Sequence, residues 1–116
     1  MNFININKLS ANITMKKYEQ YTADDRVDIS LQDNDIFYLN GEISEENISK
    51  CIKWILSSNL SKKPKRTLKL YVNTTGGDLY ETFALVDIMK NSYHHISTIG
   101  IGAVMSAGVL ILASGK

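Results

Sequence analysis

Two short stretches of this sequence join residue types that can act on a carbonyl group. One is Ala103-Val104-Met105-Ser106-Ala107-Gly108, which follows an apolar, β-branched run; the other is Gly76-Gly77-Asp78, which follows an alternating one. Both read as turns from a strand into a helix. The first N–H groups of a helix have no intrahelical partner and sit at the positive end of its dipole. Two such ends aimed at one point stabilise a developing oxyanion, and glycine lets a substrate backbone come close. Gly77 and Ala107 are therefore the candidate oxyanion-hole donors, and Ser106, on its turn, is the candidate nucleophile. The chemistry would be acyl transfer, for which a serine hydroxyl also needs a base. A local Ser-x-Gly is common, and a serine in an apolar run is more often a small packing residue, so the local pattern alone leaves both readings open.

The turns must be held by regular elements. Asp35 to Gly41, "DIFYLNG", is a short aromatic and apolar run closed by Asn-Gly, a strand signal. Ser44 then offers an N-cap, with Glu45 and Glu46 in the first turn. Ile48, Ile52 and Ile55 follow at helical spacing, flanked by Cys51 and Leu56. A basic loop with Lys62, Lys63, Pro64, Lys65 and Arg66 reads as a solvated turn rather than a nucleic-acid patch, since the chain's net charge is only +1. Leu68, Leu70 and Val72 alternate within a strand over Thr67 to Thr74. From Leu79 the spacing predicts a helix with Leu79, Phe83, Val86 and Met89 on one face. His95 to Gly102 is a further strand, and Ser106 to about Ser114 suits a buried helix. Residues 1–33 are polar and weakly periodic and read as an irregular N-terminal arm, leaving 34–116 as the folded unit. The order β-α-β-α-β-α implies a parallel sheet, whose strand-to-helix loops open together at its carboxyl edge.

With "LYVNTTGGD", a helix, and "STIGIGAVMSAGVLILASG" in this order, the chain resembles the proteolytic subunit of the Clp protease, a serine peptidase. The upstream "IFYLNGEIS" and its helix match the family's opening strand and helix, so the resemblance covers roughly residues 35 to 116. It implies an α/β class and a ClpP- or crotonase-like fold, present only in part, with parallel β-α-β-α units. By the same resemblance Ser106 is the nucleophile of peptide-bond hydrolysis and Gly77 and Ala107 hold the oxyanion. Gly76, Gly77, Asp78 and Leu79 form the edge beside which a substrate peptide lies as an added strand. Thr75, Asp78 and Ala107 depart from the family's usual residues, at positions where backbone groups do the work. No metal or cofactor is implied. The partners implied are an unfolded protein or peptide substrate, further copies in stacked heptameric rings, and an ATP-dependent AAA+ unfoldase.

The family's histidine and aspartate follow the serine, and neither is present in these 116 residues. His94 and His95 begin the strand that ends near Gly102, roughly 20 Å from the active edge at about 3.3 Å per residue, so they are expected to close its far end. The chain is accordingly expected to be a piece of a longer peptidase, with a naturally short, non-catalytic subunit or a phage prohead protease relative as alternatives. A tail-anchored membrane protein is a further alternative, because Ile96 to Ala113 is eighteen residues without a charge. A single cysteine rules out an internal disulfide, and the N-terminus lacks the apolar core of a signal peptide; both point to a cytoplasmic protein.

Overall fold

The computed structural model describes residues 20–60 and 64–116. Its elements are α1 (Ala23–Asp33), β1 (Ile36–Asn40), α2 (Glu45–Leu60), β2 (Thr67–Thr74), α3 (Leu79–Lys90), β3 (His95–Val104) and α4 (Ala107–Ala113). The strands form one parallel sheet in the order β1-β2-β3. Leu39 lies opposite Val72, and Leu68 opposite Ile96. Helix α2 packs on β1, α4 on β2 and β3, and α3 lies against both helices. The expected α/β class with parallel strands is thus the observed one.

Burial follows the alternation of the strands. Leu39, Leu68, Leu70, Val72 and Ile96 meet Ile48, Cys51, Ile55, Leu85, Met89 and Ile111 in one core. The Ser44 cap forms as expected, in a reciprocal pair with Asn47: Ser44 N–H donates to Asn47 Oδ1 at 2.9 Å, and Asn47 N–H to Ser44 Oγ at 3.4 Å. Trp54 joins the core of α2 and tilts against Phe37, whereas Leu56 stays exposed.

Three expectations are corrected. The part of 1–33 that is described is not irregular, since α1 runs from Ala23 to Asp33. Thr22 and Asp25 form a capping box, with Asp25 N–H donating to Thr22 Oγ1 at 3.1 Å and Thr22 N–H to Asp25 Oδ2 at 3.2 Å. The Thr-x-x-Asp signal precedes a helix that buries no residue fully, so its hydrophobic period is too weak to betray it. The rest of the arm, and Lys62 and Lys63 of the basic loop, lie outside the described residues. Second, α3 buries Thr82, Leu85 and Met89, while Leu79 and Phe83 remain 49% and 47% exposed. This helix is apolar nearly all round, and such a helix gives periodicity no face to choose. Third, the uncharged stretch 96–113 is not one helix but β3 and the seven-residue α4. No described helix is long and apolar enough to cross a membrane, which removes the spanning segment on which the tail-anchored alternative rested.

The amino end of the sheet is closed by a polar latch. Arg66 Nε bonds Asp35 Oδ2 at 2.8 Å, tying the start of β2 to the start of β1. His94, fully buried, accepts the Arg66 backbone N–H at Nδ1 (3.2 Å), which leaves Nε2 to donate to the Ser58 carbonyl of α2 (3.0 Å). Arg66 is thereby tied into the fold, and Lys65 lies over the Tyr93 ring.

Cys51 has no exposed surface, and burial pushes its thiol well up because the thiolate would lose its solvation. Since the thiolate is the reactive species, Ellman's reagent at pH 8 is expected to leave Cys51 unmodified in the folded chain. It should titrate one thiol in denaturant; prompt reaction in native buffer would contradict the packing of α2 on the sheet.

Candidate active site

The carboxyl edge of the sheet brings the two glycine-bearing turns into contact. A Cβ built on Gly76 would stand 2.8 Å from Ser106 Cβ and 3.2 Å from Ser106 Oγ. The turn after β2 and the turn after β3 thus touch at Gly76 and Ser106, with no space for a side chain between them. Gly76 has φ +111°, and the loop is tied from below by Thr74, whose Oγ1 accepts the Gly76 N–H at 3.1 Å. Thr74 also accepts the Met105 N–H at its carbonyl, 3.0 Å away, so one buried residue of β2 braces both turns.

A third segment holds the glycine pair from the other side. Ile43 N–H donates to the Gly76 carbonyl (2.8 Å), and Asp78 N–H donates to the Ile43 carbonyl (3.0 Å). This short parallel bridge leaves no room beside Gly77, where a Cβ would lie 2.3 Å from the Ile43 carbonyl oxygen. Because successive peptide groups of extended chain point to opposite sides, the bridge uses the Gly76 carbonyl and Asp78 N–H and turns the Gly77 N–H the other way.

Ser106 is exposed, and its backbone is held at φ +52°, ψ −127°, a conformation costly for a residue with a Cβ. Its hydroxyl makes no capping bond to α4. Ala107 is the first residue of α4, so its N–H belongs to the unpaired first turn. Among the described residues neither this N–H nor that of Gly77 has a backbone partner. Asp78 is the N-cap of α3, accepting the Glu81 N–H at 2.9 Å, and Leu79 is that helix's first residue. The structure therefore brings Ser106, Ala107, Gly76 and Gly77 together and places Asp78 and Leu79 just beyond, where the extended chain has turned into a helix.

The histidines lie at the opposite end. His95 is paired with Thr67 and Val104 with Thr74, so about seven strand steps, or about 23 Å, separate His95 from the Ser106 turn. Among the described residues no group of three or more His, Cys, Asp or Glu side chains could hold a metal ion. A groove of about 660 Å³ runs beside β1, lined by Leu31, Phe37, Lys53, Trp54 and Ser57 among others. It does not include Ser106, and the Trp54 indole N–H buried at its wall has no partner among the described residues. Thr74 and Ile43 are the residues of the Ser106 site that the sequence did not disclose. An apolar residue two positions after Asn-Gly and a threonine at a strand end carry no distinctive signal.

Comparison with known proteins agrees with this fold. The Clp protease family model matches residues 6–116. The chain is 35% identical over 80 residues to the ATP-dependent Clp protease proteolytic subunit 2 of Treponema pallidum, covering 67% of this chain and 39% of that protein. It is 33% identical over 81 residues to the subunit of the same name from Corynebacterium efficiens, covering 69% and 40%. A crystal structure of the ClpP protease catalytic domain from Plasmodium falciparum superposes with a TM-score of 0.74 at 31% identity, over 84% of this chain and 54% of that one. The chain thus spans about 40% of the length of the curated relatives it matches.

Substituting Gly77→Ala drives a methyl group into the Ile43 backbone and is expected to destabilise the fold by about 2 kcal/mol or more, as overpacking does. The midpoint of urea unfolding should fall at unchanged slope; an unchanged midpoint would show that the Ile43 bridge is not held in solution.

Proposed function

The chain belongs to the Clp protease family, and from that premise we propose that it carries the nucleophile and oxyanion hole of a serine endopeptidase. The observation that carries this reading is the contact between the Gly76-Gly77 turn and the Ser106 turn. It sets an exposed hydroxyl beside two helix-start loops whose Gly77 and Ala107 N–H groups have no backbone partner among the described residues. A peptide carbonyl lying between them is attacked by Ser106 Oγ while its oxygen gathers charge toward the two N–H groups. The substrate backbone runs beside Gly76 and Gly77, on the side the Ile43 bridge leaves open. Asp78 and Leu79 border it from the start of α3.

Proton transfer is the part these residues do not supply. A general base acts within about 3 Å of the proton it takes, and both histidines sit at the far end of β3, so the base and its carboxylate partner come from outside this chain. In the complete enzyme the partners are an unfolded polypeptide substrate, further copies in stacked rings, and an AAA+ unfoldase, in a cytoplasmic setting. Exposed Met105, Val109 and Leu110, beside and on α4, support this, since an apolar surface next to a catalytic turn is covered by further protein in an assembled enzyme.

Two measurements check the reading. A fluorophosphonate probe should label Ser106 in the complete protein and lose that labelling in Ser106→Ala; complete protein that never labels would refute the nucleophile. The 116-residue chain alone should hydrolyse a fluorogenic peptide no faster than buffer, and Ser106-dependent cleavage by it would show that a base lies within these residues after all.

A further inference from the structure

The register between β2 and β3 breaks just before the candidate nucleophile. Val72 faces Gly100, but Thr74 faces Val104, so two steps on β2 are matched by four on β3. Two residues of β3 are therefore looped out. With even pairing, Thr74 would face Gly102, and Ser106 would project two further residues, about 7 Å, past the sheet edge and away from Gly76. The bulge is what brings Ser106 back to the glycine turn, and such insertions are a recognised means of re-aiming a side chain.

One side chain holds the bulge. Asn73 Oδ1 accepts the Ala103 N–H at 3.1 Å, the backbone donor freed by the looped-out chain. Gly102, at the crest, has φ +63° and passes so close that a Cβ there would stand 2.7 Å from Asn73 Oδ1. The other half of the amide is anchored on β1: Asn73 Nδ2 donates to Tyr38 Oη at 3.1 Å and to Asn40 Oδ1 at 3.3 Å, and Tyr38 Oη donates to Asn40 Oδ1 at 3.2 Å. The amide is thus oriented by two acceptors on one strand and used as an acceptor toward the other. Glutamine would be too long for the gap and threonine too short to reach both sides.

We propose that Asn73 is a positioning residue for Ser106: its carboxamide stabilises the two-residue bulge in β3 and so sets the distance from Ser106 to the Gly76-Gly77 turn. It touches neither substrate nor reacting atoms. The role matters for catalysis on the serine-peptidase reading given above, but the position itself is measurable without turnover.

The test uses the 116-residue chain and NMR. The readouts are the NOE between Gly76 Hα and Ser106 Hβ, and amide exchange at Ala103 and Met105 relative to Leu70 in the core. In Asn73→Ala the NOE should vanish, and exchange at Ala103 and Met105 should accelerate roughly fivefold, as loss of one hydrogen bond does, with Leu70 unchanged. Asn73→Asp keeps the acceptor for Ala103 but loses the Nδ2 donor that anchors the amide on Tyr38 and Asn40, and should fall between the parent and Asn73→Ala in both readouts. An Asn73→Ala chain that keeps the NOE and parental exchange overturns the proposal. If Asn73→Ala does not fold, Asn73→Ser, polar but too short to reach Ala103, takes its place: a lost NOE with faster exchange supports the proposal, and parental behaviour overturns it. Failure of the peptidase reading shows separately, as a wild-type complete protein whose Ser106 never takes a fluorophosphonate.

Discussion

The close approach of three backbone segments at the carboxyl edge of the sheet is the constraint on which the rest of the site depends. The Gly76-Gly77 turn is clamped between the Ile43 backbone and the Ser106 turn, with space for hydrogens and for nothing larger. Two glycines are required there for steric reasons on both flanks, independent of any chemistry. The same crowding has a chemical consequence. A loop bonded to Ile43 on one side presents its remaining peptide groups on the other, and those groups face the turn that bears Ser106.

The strands act as rulers for this contact. β1 delivers Ile43, β2 delivers Thr74 and the glycine pair, and β3 delivers Ser106, all at the same edge because the sheet is parallel. Length along β3 is adjusted by its bulge, and the energetic cost of Ser106 at positive φ is borne by the packing of α4 beneath it, where Ala107, Gly108 and Ile111 are buried. Strain of this kind persists only where the surroundings over-determine it, and here a bonded Met105, a buried Ala107 and the adjacent Gly76 do so.

The opposite edge is held by polar contacts. The Asp35–Arg66–His94–Ser58 latch gathers the starts of all three strands and the end of α2 around one buried imidazole. Both histidines of the chain are thereby placed at the end of the sheet remote from the serine. Neither histidine therefore stands beside the Ser106 turn.

Much of this was legible in the linear sequence. Alternation at Leu68, Leu70 and Val72, the Ser44 cap and the strand–helix order dictated the parallel sheet, because period and capping are local properties. That Gly76-Gly77 and Ser106 belong to one site followed from topology: consecutive parallel strands open their loops at the same edge. The sequence did not disclose which face of α3 is buried, since its apolar residues encircle the helix, nor α1, whose Thr22 cap precedes a helix with little to bury. Nor did it show that Ile43, Thr74 and Asn73 shape the site, because their contacts join residues some 30 positions apart. Local chemistry determined the elements and the candidate nucleophile. Only tertiary packing decided the register that carries Ser106 to Gly76, because strand pairing is settled by which side chains fill the space between strands and not by any residue alone.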